Sequence, residues 1–276
     1  FMGIKIDPEK NKVRGEEIDL RITKVMKTSC AGEIVKIHNP SPERMEPECP
    51  YAGKCGGCAY RHLTYPEELW AKRQRVQDAL TRLGGSDVTV EEILGAAQPL
   101  RYRNKSQYPV SADGRVGFYR ARSHQVVEVE HCLLQKPQAD ALAAALRQYL
   151  AQYHVPGYDE TTGRGLVRHL YVRSNCKGES LVCLLVNGES LPYETELVAL
   201  LRQAAPQTVG VVLGVNTRPG NAILGDRYRT LWGEDALTDV LCGRTVRLSV
   251  PSFYQVNHPQ AEVLYGKALE FAGLTG

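Results

Sequence analysis

Cys49, Cys55 and Cys58 stand within ten residues, in CPYAGKCGGC, wrapped around Gly53, Gly56 and Gly57. Packing is a poor reason for three thiols in so polar and glycine-rich a stretch. Thiolates bind soft metals, and glycine lets the backbone turn tightly beside them. A fourth thiol at Cys132, just after an expected strand, would complete a four-thiolate site of the iron–sulfur type. Two other chemistries remain open on the residues alone. Structural zinc favours two close ligand pairs, and only Cys55 with Cys58 has that form. A dithiol redox pair at the same two residues needs a strand before it and a helix opening at it, and the preceding residues read as loop. Cys183 lies inside an apolar strand, Cys242 near a strand start, and Cys30 and Cys176 near turns. None has a neighbouring His and Asp pattern that would make it a nucleophile.

A second chemistry lies in the cations. The net charge of +3 announces no nucleic-acid binder, but its distribution is uneven. Residues 101–125 hold six basic side chains and one acidic, and residues 160–177 hold Arg164, Arg168, Arg173 and Lys177 against Glu160. Tyr102, Tyr108, Phe118, Tyr119 and Tyr171 are interleaved with them. Cations for phosphates and rings for bases are what a single-stranded RNA surface requires. The candidate phosphate contacts are Arg101, Arg103, Lys105, Arg120, Arg122 and Arg168, and the candidate stacking residues are Tyr119 and His124. Solvated strand faces account for the same pattern without RNA.

These residues need elements to hold them. Residues 14–38 read as two strands around a turn at Ala31 and Gly32, and residues 66–83 as a helix opened by Pro66 and closed by Gly84. Strands over 102–110 and 115–130 meet at Asp113 and Gly114, a hairpin signal. A helix over 136–152, a hairpin over 167–174 and 179–187, a helix over 191–204, strands over 209–216 and 227–233, an extended run over 245–257 and a helix over 258–274 complete the chain. Helices and strands alternate with hairpins mixed in, so the expected class is α+β. With 43% apolar and 24% charged residues in 276, the composition is that of a globular protein of one or two domains. No apolar run reaches membrane-helix length, and the opening FMGIKIDPEK lacks a secretory h-region. The expected compartment is cytoplasmic, where eight cysteines stay reduced. No membrane and no protein partner is indicated.

Four signatures occur in order: CPYAGKCGGC, RYRNKSQYPV, GFYRARSHQVVEVEHC and SFYQVN before a helix. From about residue 14 onward the chain resembles the bacterial RNA (uracil-5-)-methyltransferases that act on 23S ribosomal RNA or transfer RNA and often carry a 4Fe–4S cluster. The resemblance implies an N-terminal TRAM barrel of OB type, a central α+β domain that holds the cluster and RNA, and a C-terminal Rossmann-like domain. That last domain binds S-adenosylmethionine and carries the catalytic cysteine. It also implies Cys49, Cys55, Cys58 and Cys132 as cluster ligands and Gln255 as a contact to S-adenosylmethionine, with 23S RNA favoured over transfer RNA. On this reading residues 1–40 are a partial TRAM-like β segment, with 1–13 in place of earlier strands. Residues 41–66 are the cysteine loop, 67–250 the central RNA-binding domain, and 251–276 the start of the methyltransferase domain. No glycine-rich cofactor loop follows a strand anywhere. The expectation is therefore a chain truncated before the methyltransferase core, with no catalytic residue of its own and no activity alone.

Overall fold

The computed structural model describes residues 3–6, 13–27, 29–220 and 222–274. They form two compact units, 1–97 and 98–276.

In the first unit, strands β1 (Gly3–Ile6), β2 (Glu17–Val25) and β3 (Ser29–Asn39) form a sheet in the order β1-β3-β2. β1 runs parallel to β3, and β2 is antiparallel to it. The hairpin turn falls ahead of the expected Ala31 and Gly32, which sit within β3 opposite Lys24 and Ile22. Residues 3–6 add a strand to the hairpin. The remainder of the stretch expected to replace earlier strands lies, up to residue 12, outside the described residues. Glu16 is the buried anchor of this unit. It accepts from Arg44 through Nε and Nη2, from the Val13 amide at 2.8 Å, and from the Ser41 amide at 3.4 Å. Burial alone would raise its pKa, but Arg44 and these amides hold the carboxyl below its usual range.

Helix α1 (Tyr65–Asp78) starts where Thr64 accepts the Glu67 amide, with Pro66 in its first turn and Glu67 and Glu68 at its positive end. A wider π turn over Ala79–Leu83 carries the chain to Gly84, so the expected helix is two pieces.

The second unit is built on a five-stranded sheet, β10-β9-β8-β7-β4, with β4 Lys105–Pro109, β7 Val167–Ser174, β8 Ser180–Val186, β9 Thr208–Val215 and β10 Arg227–Gly233. Only β8 and β9 are parallel, joined through helix α3 (Glu194–Ala204). Every residue of β7 and β8 is buried, as expected of strands covered on both faces. One face packs Leu170, Val172, Val182, Leu184 and Leu213 against α3 and against Leu142, Leu146 and Tyr149 of helix α2 (Pro137–Gln152). The other face carries Tyr171, Leu181, Cys183, Leu185 and Val212. It is covered by Tyr254 and by the hairpin β11 (Ala236–Leu241) with β12 (Arg244–Ser249). The sequence gives little sign of β11. Its turn places Cys242 at φ 48° and Gly243 at φ 73°, the positive pair of a type I′ turn with cysteine where asparagine is usual. A short hairpin, β5 (Gly117–Tyr119) with β6 (Val126–Glu128), borders β4.

The final helix, α4 (His258–Ala272), is capped by the Asn257 side chain and stopped by Gly273 at φ 56°. The segment before it is tied to the β4 end of the sheet. Asn104 donates its amide to Val256 O at 2.9 Å and its side chain to Gln255 O at 2.9 Å. His258 bonds Val240 O at 2.7 Å, and the Cys242 amide bonds Glu262 at 2.9 Å. No helix among the described residues is long and apolar enough to cross a membrane.

Candidate nucleic-acid interface

The segment entering β4 carries three of the candidate cations, and their surroundings differ. Arg101 has a left-handed backbone, φ 54°. Its Nη1 is spent on Cys132 O at 2.7 Å, Gln135 O at 3.0 Å and Asp140 Oδ2 at 2.9 Å. Asp140, buried in the first turn of α2, also accepts the Cys132 amide and the Tyr108 hydroxyl, each within 3.3 Å. Sequence reading missed Asp140, although an acid in the first turn beside a basic segment is a recognisable signal. Arg103 is half-buried, and its Nε has no hydrogen-bond partner. Lys105 is half-buried opposite Arg173 on β7. Burial first, then the charges of Arg173 and Arg103, hold its ammonium below the usual pKa. Gln255 is half-buried, and its backbone carbonyl is engaged by Asn104.

The second group lines a cleft of about 570 Å³ at the far end of β4 and β7, walled by residues 110–113, 115, 119, 124–126, 158–161, 168 and 169. Its volume lies in the range of small-molecule and nucleotide sites. Glu160 organises the rim, accepting the Tyr119 hydroxyl at 3.2 Å and meeting His124 Nδ1 at 2.5 Å. The Tyr119 and His124 rings lie 5.3 Å apart at 45°. Burial, then the charge and hydrogen bond of Glu160, push the Tyr119 hydroxyl well above its usual pKa, so it stays a donor. Arg120 and Arg122 lie on the turn between β5 and β6, Arg122 with φ 57°.

Arg168 is only 2% exposed. It donates to the carbonyls of Asn216 at 2.8 Å, Arg218 at 2.7 Å and Gly220 at 3.1 Å, and lies 4.3 Å above the Tyr158 ring. It therefore fixes the 216–220 loop against the cleft wall, and its guanidinium is largely committed. His169 beside it is buried with both ring nitrogens unpartnered. Burial, then Arg168, lowers its pKa to about 4, so at neutral pH it is an uncharged imidazole. From sequence Glu160 counted only as the acid among the cations of 160–177, and His169 was not singled out. The alternation of His169, Tyr171 and Arg173 along β7 is the signal that could have found His169.

In the cysteine loop, Gly53 takes φ 76° within a tight turn, with Cys55 N bonded to Tyr51 O at 2.8 Å. The Gly57 amide donates to Cys55 Sγ at 3.4 Å, the kind of N–H to sulfur bond that supports a metal-bound thiolate. None of the eight cysteines is in a disulfide. Cys49, Cys55 and Cys58 belong to the first unit and Cys132 to the second. Among the described residues no three His, Cys, Asp or Glu side chains are gathered as a metal site. The donor chemistry of the loop suits a cluster. Burial drives the Cys183 thiol far up, and a hydrogen bond to Asp239 raises that of Cys176, so neither is an activated nucleophile.

No family model matches the chain. It is 40% identical over 268 residues to a protein of Clostridium tetani, covering 96% of this chain and 58% of that one. It is 36% identical over 274 residues to one of Clostridium acetobutylicum (97% and 60%). Both are described as uncharacterized RNA methyltransferases. Among solved structures it resembles the Pyrococcus abyssi tRNA (uracil-54, C5)-methyltransferase in complex with S-adenosyl-L-homocysteine. The TM-score is 0.76 at 21% identity, over 99% of this chain and 61% of that one. The chain thus spans about three-fifths of the length of the proteins it matches. The expected architecture, a partial barrel and central domain ending at the first helix of an absent Rossmann-like domain, is corrected by that match. One solved fold accompanies the chain along 99% of its length, and that is the finding against the expected architecture. The inactivity inferred from it is dropped with it. Over the part it matches, the chain shares the fold of that methyltransferase structure.

Proposed function

We propose that the chain serves an S-adenosylmethionine-dependent RNA methyltransferase acting on C5 of uridine, in the cytoplasm, and that its second unit grips the RNA. The carrying observation is the identity of 36–40% with proteins described as RNA methyltransferases along 96–97% of the chain. The geometry supports it. Arg103 and Lys105 line the strand edge, Arg120 and Arg122 stand on the β5–β6 turn, and the Tyr119 and His124 rings edge a nucleotide-sized cleft. Arg101 and Arg168 serve this surface as positioning groups, since their guanidinium groups already hold carbonyls. A target uridine must leave its stack to be methylated, and the rings offer displaced bases a place to lie.

Gln255 is proposed to hold the methyl donor. Its carbonyl is anchored by Asn104, which leaves the side-chain amide to donate and accept at once. The donor supplies the methyl group when bound. Cys49, Cys55, Cys58 and Cys132 are proposed as 4Fe–4S ligands on their thiol chemistry, the glycine-rich turn and the Gly57 amide on Cys55. The cluster is a structural element in this reading, because uracil methylation transfers no electrons.

The substrate is taken as 23S RNA, and the Pyrococcus enzyme names transfer RNA as the competitor. The protein is incubated with radiolabelled S-adenosylmethionine and either RNA, and the nucleosides are analysed for 5-methyluridine. Label in 23S RNA supports the reading, and label only in transfer RNA corrects the substrate. Absence of RNA binding at low salt overturns it. Iron and sulfide analysis after anaerobic purification tests the cluster separately.

A further inference from the structure

Arg173, the penultimate residue of β7, is fully buried, 0% exposed. Its Nη2 donates to the Tyr171 hydroxyl at 2.6 Å and to Ser252 O at 2.5 Å. Its Nε and Nη1 have no partner. Lys105 stands directly opposite on β4, and Arg103, two residues earlier, is near enough for its charge to act on Lys105. Arg103 also has an unpartnered buried Nε, and the Asn104 side-chain oxygen beside it is unpartnered too. Among the described residues no carboxylate forms an ion pair with any of these three cations, and the charges acting on Lys105 are Arg173 and Arg103, both repulsive. A buried charge is ordinarily paired, because desolvation without a counter-charge is costly. Three cations so gathered, one of them fully buried, therefore want an anion.

We infer that Arg103, Lys105 and Arg173 form an oxyanion subsite that takes one backbone phosphate of the bound RNA strand. The inference rests on the RNA reading above and adds Arg173, which lies beneath the strand edge and supplies charge from below. Guanidinium and ammonium groups match phosphate oxygens, and Arg103 and Lys105, half-buried at the edge, are the groups a strand meets first. The irregular segment carrying Ser252 lies over Arg173, and Phe253 beside it is 81% exposed.

The test uses a labelled single-stranded 12-mer RNA and the whole protein, with affinity measured across a salt series. Each phosphate neutralised on a single strand contributes about 0.7 to the slope of log affinity against log salt. Lys105→Gln is expected to lower that slope by about 0.7. Arg173→Met is expected to lower it likewise while its melting temperature holds, because the variant removes an unpaired buried charge. In the second arm, the 13C-methylated Lys105 amine is followed by NMR, and its pKa is expected to rise when the 12-mer is added. If the 12-mer binds and Lys105→Gln leaves the slope unchanged, the subsite is overturned and the RNA reading survives. Failure of the wild-type protein to bind the 12-mer overturns both. If inorganic phosphate moves the Lys105 signal and the 12-mer does not compete, the site is one for free phosphate and the assignment to RNA is overturned.

Discussion

Replacing Asp140 should loosen the second unit at the place where Cys132 is presented. The carboxylate is 5% exposed and has three partners, the Arg101 guanidinium, the Cys132 amide and the Tyr108 hydroxyl. Truncating one member of a fully buried ion pair costs about 3–5 kcal/mol. The Arg101 side chain is 37% exposed, so solvent screening reduces the ionic part to about 1–2 kcal/mol. Tyr108 is fully buried, and a stranded hydroxyl adds about 1–2 kcal/mol. Asp140→Ala should therefore destabilise the unit by about 3 kcal/mol, and Asp140→Asn, which keeps an acceptor for Tyr108, by about half of that. The assay is urea unfolding followed through Trp232 in a Trp70→Phe background, since the two tryptophans lie one in each unit. Alkylation of Cys132, read by mass spectrometry, should also accelerate in Asp140→Ala. A loss below about 0.5 kcal/mol, the range of ordinary surface substitutions, would refute the hub. So would equal losses in Asp140→Ala and Asp140→Asn, because the acceptor would then count for nothing.

Glu16 has a depressed folded-state pKa, so its contribution to the first unit is complete above its unfolded value of 4.5 and disappears as pH falls through the folded value. Glu16→Gln should flatten that acid limb, followed through Trp70, which Arg14 overlies at 4.2 Å. His169, with a folded pKa of about 4 against 6.5 unfolded, is stabilising while neutral. Between those values the unfolded chain binds more protons, so stability should fall as pH drops, by about 1.4 kcal/mol per unit at most, and His169→Phe should remove that slope. Gly117→Ala would put a methyl group 1.9 Å from the Val127 carbonyl oxygen across the β5–β6 hairpin. It should cost about 2 kcal/mol or more, read as a lowered melting temperature, and should disturb RNA affinity through Tyr119.

The elements with strong periodicity were legible. α2 and the β7–β8 hairpin lie within about a residue of their expected bounds, because alanine and leucine at helical spacing and continuous apolar runs leave few alternatives. β11 was not, because Thr238 and Asp239 interrupt its apolar pattern. Asp239 is nonetheless buried, accepting from the Cys176 and Val240 amides and the Tyr254 hydroxyl. The candidate cations illustrate a general limit. Composition marked 101–125 as basic, but only tertiary placement separates Arg101, spent on Asp140, from Lys105, on which the charges of Arg173 and Arg103 act. The turn in the first hairpin was misplaced because a glycine was read as a turn. In β3, Gly32 answers a different need, since a Cβ there would lie 3.2 Å from the Arg21 carbonyl oxygen.

Strand β7 draws these observations together. Its residues Leu170 and Val172 face the helices, while His169, Tyr171 and Arg173 alternate onto the opposite face. In an ordinary half-exposed strand that second set would be solvated. Here all three are 4% exposed or less, and two of them, His169 and Arg173, carry buried polar atoms without partners. Such a layer lowers stability relative to an apolar one, and stability is surrendered in this way chiefly where a site is kept. The two anomalies lie toward opposite ends of the strand, one neutral beside the aromatic cleft and one cationic beside Lys105. They are four residues apart, about 13 Å along an extended strand, roughly the reach of two nucleotides of a stretched single strand. A base in the cleft and a phosphate at the cations could thus belong to one RNA strand lying along β4. If so, Tyr119→Leu and Lys105→Gln should each weaken binding of a 12-mer, with losses that add in the double variant, whereas for a mononucleotide, too short to touch both sites, the double variant should lose no more than the worse single one. Additive losses with the mononucleotide as well would break the link between length and contact on which this geometry depends.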